Sequence, residues 1–196
     1  KLAPYQVVIV PIYKGQEQLD AISEVAEGLM KGLRSAGVTV KFDNRDTYKP
    51  GWKFNQDELQ GVPVRIAIGP KDLEKGSVEV ARRDTLTKQF MKQDEVATAI
   101  PALLEEIQSS LFEKALNFRE ENSQQADTWE EFKTLMKGNP GFVYAHWDGT
   151  TETEDKIKEL TKATIRCIPL NNKQEEGKCI LTGNPSTQRV VFAKAY

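Results

Sequence analysis

Three side chains within residues 49–84 (KPGWKFNQDELQGVPVRIAIGPKDLEKGSVEVARRD) have types and spacing suited to holding a flat, polar ligand. Phe54 and Glu58 are four positions apart, so they share one face if this part of the chain is helical. Arg65 interrupts residues 64–68, an otherwise apolar run, and an arginine in a buried strand is costly unless a polar or anionic group receives it. An aromatic ring, a carboxylate and a guanidinium held together suit a nucleobase.

Each of these residues also has a purely structural interpretation. Phe54 can belong to the core, packed against Trp52 or Leu59. Arg65 can form an ion pair with Glu58. The ion pair is compatible with ligand binding, because a paired arginine keeps further donors available. The residue types alone therefore leave both interpretations open.

Hydrophobic periodicity predicts the elements that would position these residues. Residues 5–12 form an apolar, β-branched run that suits a strand buried on both faces. From Leu19 to Leu33 apolar residues recur every three or four positions, which predicts a helix, and Gly37 suits its C-terminal end. Further strands are predicted at residues 38–42, 64–68 and 77–82. Strand, helix and strand with short connections predict a right-handed βαβ unit with parallel pairing.

The second half of the chain is typical of a small α+β domain. A helix is predicted from Pro101, with the proline in its first turn, and a linker at residues 123–125. Two further helices are predicted at residues 129–136 and 154–160, and strands at residues 142–146, 164–168, 179–181 and 189–193. We therefore expect an α/β domain with a mixed sheet flanked by helices at residues 1–100, a connecting helix at 101–125 and an α+β domain at 126–196.

Composition limits the kind of partner. The net charge is −2, with 15 Lys and Arg against 13 Asp and Glu in residues 1–94, so nucleic-acid contacts should be local rather than a broad basic surface. No apolar run is long enough to span a bilayer, and we expect a cytoplasmic protein without membrane contact. The two cysteines cannot build a disulfide framework. Because the chain begins at Lys1 without methionine, we expect it to be part of a longer protein.

Residues 1–100 resemble the anticodon-binding domain of class II aminoacyl-tRNA synthetases, and residues 49–84 within them resemble specifically prolyl-tRNA synthetase of the archaeal and eukaryotic type. The tail agrees, because ATIRCIP (residues 163–169) and GNPSTQRVVFAKAY (residues 183–196) resemble the C-terminal extension of that enzyme. The resemblance covers essentially the whole chain, and the tail is its more specific part. The catalytic domain of the family is absent from these residues.

The resemblance implies that Phe54, Glu58, Arg65 and Lys71 read the anticodon, in which two guanines are common to all proline tRNAs. A carboxylate accepts hydrogen bonds from the ring N–H and the amino group of guanine, while arginine or lysine donates to O6 and N7. We expect Glu58 and Arg65 to contact guanine edges and Phe54 to stack on a base. Lys71 would contact a second base or a phosphate, although alone it is typical of a solvated surface lysine.

The resemblance also raises the question of a metal, because the tail of the family commonly holds zinc through four cysteines, spaced C-x4-C and C-x2-C. The matching positions are Asp148, Thr153, Cys179 and Thr182. Only one thiolate remains and threonine is a poor zinc ligand, so we expect no zinc in this chain.

The parent enzyme implied by the resemblance would use ATP and Mg²⁺ to attach proline to tRNA(Pro). Its catalytic domain would lie in the same chain, its C-terminal tyrosine, here Tyr196, would face the active site, and the enzyme would be a homodimer. We expect the present residues to supply recognition without cofactors and without catalysis. Two other hypotheses stay open at this point: an α/β module that binds a small molecule, and a protein-docking module without RNA binding.

Overall fold

The computed structural model describes residues 3–138 and 140–194 of the chain. The chain divides into two compact units, residues 1–113 and 114–196. The division falls within one continuous helix, α4 (Val96–Glu121). The predicted three-part division at residues 100 and 125 stays a prediction.

A five-stranded mixed sheet forms the centre of the first unit, with strand order β2-β1-β3-β4-β5. The strands are β1 (Val7–Pro11), β2 (Val40–Phe42), β3 (Val64–Ile68), β4 (Ser77–Arg82) and β5 (Lys88–Lys92). β1 is parallel to β2 and β3, whereas β4 is antiparallel to β3 and β5. The predicted α/β class with a mixed sheet and parallel βαβ pairing is confirmed.

Helices cover both faces of this sheet. They are α1 (Gln16–Ser35), α2 (Pro50–Leu59), α3 (Pro70–Glu74) and α4. Strand β1 is buried along its whole length, and its side chains alternate between the faces. Val7 and Ile9 pack in one core with residues of α1 and α4, while Val8 and Val10 pack with Phe54 of α2 on the other face. The continuous apolar sequence of β1 follows from this double coverage.

Three features of the first unit differ from the sequence expectations. Strand β5 was not predicted, because none of its five residues is fully buried and it has no apolar face. Residues 70–74, for which no helix was predicted, form the short helix α3. Helix α4 begins at Val96, so the prediction that Pro101 lies in the first turn is wrong. The apolar stripe already includes Val96 and Ile100, and it carries the helix back beyond the proline.

The second unit contains a four-stranded sheet in the order β6-β7-β11-β8. Its strands are β6 (Ser123–Gln125), β7 (Phe142–His146), β8 (Ala163–Cys167) and β11 (Arg189–Lys194), with a small hairpin of β9 (Gly177–Lys178) and β10 (Pro185–Ser186). β6 is parallel to β7, and β11 is antiparallel to β7 and β8. Helices α5 (Trp129–Lys137) and α6 (Thr151–Thr161) complete the predicted α+β unit. Its core includes Phe132, whose ring meets that of Phe192 edge-on at 5.1 Å.

Two expectations for this unit are wrong. Residues 123–125, predicted as a linker, form β6, because their polar side chains lie on an edge strand whose backbone pairs with β7. Residues 179–181, predicted as a strand, are not in a strand: the hairpin strand β9 ends at Lys178. Cys179 N–H instead donates to the Asn184 carbonyl at 2.8 Å, which closes a turn.

Candidate nucleic-acid interface

Helix α2 holds the predicted aromatic and carboxylate residues on its outer side. Pro50 occupies the first turn, where a missing N–H costs least. The side that meets the sheet carries Lys53 and Asp57, only 1% and 3% exposed. Phe54 is the residue after Lys53, and Glu58 is the residue after Asp57. Both side chains therefore project beside the buried face of α2, one helical turn apart. Phe54 is half-buried, and Glu58 is exposed.

The buried charges under α2 have few partners. The Lys53 ammonium group donates to the backbone carbonyl of Asp43 at 3.0 Å, and burial lowers the pKa of this lysine. Burial also raises the pKa of Asp57, and the nearby Asp43 carboxylate raises it further. Among the described residues, Oδ2 of Asp57 has no hydrogen-bond partner. Lys53 attaches α2 to the end of β2, and the sequence analysis missed both buried residues, because lysine and aspartate are ordinarily surface residues.

Arg65 lies directly beneath Phe54. Its guanidinium carbon is 3.6 Å from the centroid of the Phe54 ring, a close cation–π contact. The Nη1 atom is 3.9 Å from the Glu58 carboxylate, and Nη2 is 3.5 Å from Glu79 on β4. Arg65 is only 9% exposed, and its Nε atom has no hydrogen-bond partner within the described part of the chain. The guanidinium is thus held by an aromatic face and two long ionic contacts, with donors left unused.

Phe54, Glu58 and Arg65 line one open pocket of about 380 Å³. Both structural alternatives hold in part: Phe54 packs on Val8 and Val10, and Arg65 contacts Glu58. The expected pairing of Phe54 with Trp52 or Leu59 is not observed, since Trp52 stacks on Tyr48 and Leu59 is exposed. The Glu58 side chain keeps 49% of its surface exposed, so its carboxylate is available to a ligand.

Strands β4 and β5 complete the pocket with residues that the sequence analysis did not identify, Arg82 and Lys88. Arg82 is fully engaged, since it pairs with both oxygens of Asp84 and with Glu106 at 2.6 Å, and these contacts raise its pKa. Lys88 is 3.4 Å from Glu79 and 56% exposed. The basic residues between Arg82 and Lys88 were the one sequence feature that could have indicated these two pocket residues. Their position relative to the pocket could not be predicted, because β5 was not recognised.

The other two predicted residues lie elsewhere. Lys71 is exposed on α3, beyond the carboxyl end of β3, and is not among the residues that line the pocket. Tyr196 lies outside the described residues. The structure therefore brings together three of the four predicted anticodon contacts.

Two families match the chain. Residues 6–103 match the family described as "Anticodon binding domain", and residues 129–196 match "Prolyl-tRNA synthetase, C-terminal". The chain belongs to the prolyl-tRNA synthetase family. The anticodon-binding match contains α2, β3, β4 and β5, and hence every residue of the pocket.

Relatives named "Proline--tRNA ligase" support this assignment over the whole chain. The relative from Christiangramia forsetii is 64% identical over 195 residues, and those from Porphyromonas gingivalis and Flavobacterium psychrophilum are each 56% identical. Each comparison covers 100% of this chain but only 40% of the relative, so the chain spans about 40% of the length of these relatives. Within the described residues, no helix combines the length and apolar character needed to cross a membrane.

Three of the four positions that the resemblance matches to zinc ligands, Asp148, Thr153 and Thr182, belong to a hydrogen-bonded cluster, which we name the Asp148 cluster. One oxygen of Asp148 accepts hydrogen bonds from Thr153, Thr182 and Asn184, at 3.0, 2.8 and 3.2 Å. The other accepts from the hydroxyl and the backbone N–H of Thr150, at 3.0 and 3.3 Å. Asp148 thereby joins the first turn of α6 to the turn after β9.

The Asp148 cluster does not fit zinc. No group of three or more histidine, cysteine, aspartate or glutamate side chains with metal-binding geometry occurs among the described residues. Cys179 is the one thiol among the four positions, and the threonine hydroxyls are neutral. Burial raises the pKa of Asp148, but the hydrogen bonds from Thr182, Thr150 and Thr153 outweigh it and lower the pKa to about 2.

Proposed function

We propose that this chain is the tRNA-recognition part of a prolyl-tRNA synthetase and that its pocket reads guanines of the proline anticodon. The observation that carries the proposal is the convergence of Phe54, Glu58 and Arg65 on one open pocket within the anticodon-binding unit. A nucleobase edge needs donors and acceptors in a fixed plane, and Arg65 and Glu58 supply them beside the Phe54 ring.

Glu58 is the acceptor in this proposal. Its exposed carboxylate can accept from the ring N–H and the amino group of guanine together, a pattern that adenine does not present in the same way. Adenine would place an unprotonated ring nitrogen against the carboxylate, where repulsion replaces a hydrogen bond. Glu58 therefore contributes discrimination as well as affinity.

Arg65 and Lys88 are the donors. The contacts of Nη1 and Nη2 of Arg65 to Glu58 and Glu79 are long, so these nitrogens can donate to O6 or N7 without losing strong bonds. Because this guanidinium covers one face of the Phe54 ring, at most the other face is left for a base to stack on. Lys71, on α3, would contact a second base or a phosphate outside the pocket.

The complete enzyme would supply the chemistry. Relatives that carry the name "Proline--tRNA ligase" are about two and a half times as long as this chain, which leaves room for a catalytic domain in the same protein. That domain would activate proline with ATP and Mg²⁺ and then esterify it to the tRNA, with Tyr196 directed to its active site and with two copies forming a homodimer. The present residues take part by selecting the tRNA.

The position of the pocket argues against a small-molecule module of the doubly wound type. Ligands of such folds bind beyond the carboxyl ends of parallel strands. Arg65 is the second residue of β3, close to its amino end. The pocket also opens across the antiparallel strands β4 and β5, which favours an extended ligand lying over the sheet.

A binding experiment tests the proposal. Fluorescence anisotropy at fixed salt would compare a labelled proline anticodon stem-loop with one whose two guanines are replaced by adenines. We expect the guanine loop to bind more tightly by about 5- to 150-fold, and Glu58→Ala to remove that preference. Glu24→Ala is the matched control, because Glu24 is exposed on α1, across the sheet from α2. Equal binding of both loops, unchanged by Glu58→Ala, would overturn the assignment.

A further inference from the structure

A second aromatic and cationic feature lies between β2 and the start of α2, outside the pocket. Tyr48 and Trp52 stack face to face, with ring centroids 3.9 Å apart and planes inclined by 12°. The Arg45 guanidinium carbon lies 5.0 Å from the first ring and 5.6 Å from the second. A guanidinium on the outer face of one ring would be much farther from the other, so Arg45 lies beside the stack and does not cover its outer faces. We call these three residues the Tyr48 platform.

The Tyr48 platform is held in place from below. Nε and Nη2 of Arg45 donate to the two oxygens of Asp43, at 2.7 and 2.6 Å, and Asp43 is only 1% exposed. The Asp43 backbone carbonyl in turn accepts from Lys53. In the part of the chain that the structure describes, Nη1 of Arg45 makes no hydrogen bond. Arg45 is therefore fixed in direction by a two-point ion pair and still has one nitrogen to donate.

Core packing does not explain the platform. Tyr48 and Trp52 remain 40% and 43% exposed, and neither belongs to a buried cluster of the first unit. Tryptophan in particular is usually buried more deeply than this. Two stacked rings that stay open, next to a fixed guanidinium, have the composition of surfaces that bind unpaired bases, in which a base stacks on a ring and a cation meets the phosphate.

Gly51 connects the two features, since it lines the pocket and is the residue before Trp52 of the platform. It is in the first turn of α2. Glycine has a lower helix propensity than alanine. Its φ is not in the left-handed region, and a Cβ added there would meet no atom of the protein within 4 Å. Neither backbone conformation nor internal packing therefore requires glycine, whereas a close approach by a ligand backbone would.

From these observations we infer that the Tyr48 platform binds an unpaired base of the anticodon loop, and that the RNA backbone crosses α2 over Gly51 to reach the pocket. The base stacks on the open aromatic face, and Nη1 of Arg45 donates to a phosphate oxygen. Trp52 and Glu58 are six residues apart on α2, about 9 Å along the helix axis, a distance that a flexible RNA loop spans. The inference rests on the proposed function, since it requires RNA in the pocket.

Anisotropy of the guanine stem-loop with Trp52→Ala tests the platform. Loss of one stacked base should weaken binding by about 5- to 100-fold, while Trp52→Phe should retain most of the affinity. Phe112→Ala, which removes another exposed aromatic residue of the first unit, is the matched control and should change affinity by less than about twofold. Thermal unfolding of each variant verifies that the fold is kept. An unchanged affinity for Trp52→Ala would overturn the inference.

A series of stem-loops with one abasic nucleotide each identifies the stacked base. At one loop position the abasic change should weaken binding to the wild type but not to Trp52→Ala. If every abasic change has the same effect on the wild type and on Trp52→Ala, the inference is overturned. Gly51→Ala should weaken binding by about fivefold or more without lowering the unfolding temperature; an unaltered affinity would contradict the path over Gly51.

The outcomes separate this inference from the proposed function. If Glu58→Ala removes the guanine preference while Trp52→Ala has no effect, only the platform is wrong. If Trp52→Ala weakens binding while both stem-loops bind equally and Glu58→Ala has no effect, base stacking on the platform is supported, but guanine reading by the pocket and the path of the RNA into it are wrong. Absence of measurable stem-loop binding to the wild type would overturn both.

Discussion

Arg65 in the first unit and Asp148 in the second are both ionised side chains withdrawn from much of the water, but their hydrogen bonding differs. Arg65 is 9% exposed, has long contacts to two carboxylates and leaves Nε without a partner among the described residues. Asp148 accepts five hydrogen bonds at 2.8 to 3.3 Å. A buried charge with unused donors is poorly stabilised by its own fold and suits a ligand, whereas one whose capacity is filled holds the fold together.

Replacing Asp148 should give the largest effect in this comparison. Asp148→Ala removes the acceptor of all five bonds, so the free energy of unfolding should fall by about 2–3 kcal/mol. Chemical denaturation would measure it. Asp155→Ala, an exposed aspartate on α6, is the control and should cost less than about 0.5 kcal/mol. A chelator should leave the unfolding temperature of the wild type unchanged; a drop would show that a metal supports this unit.

Replacing Arg65 should have little effect on stability and a large effect on RNA binding. Arg65→Met removes a guanidinium whose bonds within the protein are weak, so the unfolding free energy should change by less than about 1 kcal/mol. Stem-loop affinity should nevertheless fall by about 5- to 150-fold, because the donor to the guanine edge is lost. Denaturation and anisotropy on the same preparation would measure both quantities. A large loss of stability with unchanged affinity would assign Arg65 a structural role instead.

The pH dependence of stability should show a smaller effect. The pKa of Asp148 is lowered from 3.8 to about 2 in the folded chain. A carboxyl whose folded pKa is depressed contributes stability above its unfolded pKa and loses that contribution as pH falls from about 4 to 2. This contribution is about 1–2 kcal/mol, so the stability difference between wild type and Asp148→Asn should shrink over that range. A constant difference would show that ionisation of Asp148 is not involved.

Strands with continuous apolar sequences were predictable, because a strand that is buried on both faces needs apolar residues at successive positions. β1 and β3 were recognised in this way, and with them the βαβ order of the first unit. β5 and β6 were not, because edge strands are held by backbone pairing and their side chains can be polar. The boundaries of α4 were missed because tertiary packing of Val96 and Ile100 continues the helix through a proline.

The candidate site was predictable in part for a related reason. Phe54, Glu58 and Arg65 lie close together in sequence on adjoining elements, so spacing and the resemblance indicated them together. Lys88 depends on the position of a strand that the sequence did not reveal. The Tyr48 platform depends on a loop conformation, which residue types do not determine. The buried position of Lys53 under α2 was equally hard to predict, because burying a charged lysine side chain is costly.

Lys53 limits the rotational settings that α2 can adopt. Most helices pack on a sheet through apolar side chains. Contacts between such side chains are not directional, so they tolerate a change in the rotation of the helix. Within the part of the chain that the structure describes, the Lys53 ammonium group donates to one carbonyl, that of Asp43. A rotation by one residue, about 100°, would leave a cation unpaired in a closed space, which costs several kcal/mol. Neighbouring orientations of α2 are therefore sparsely populated. The accuracy with which Phe54 and Glu58 face the pocket is set on the underside of the helix, by a side chain that is 1% exposed.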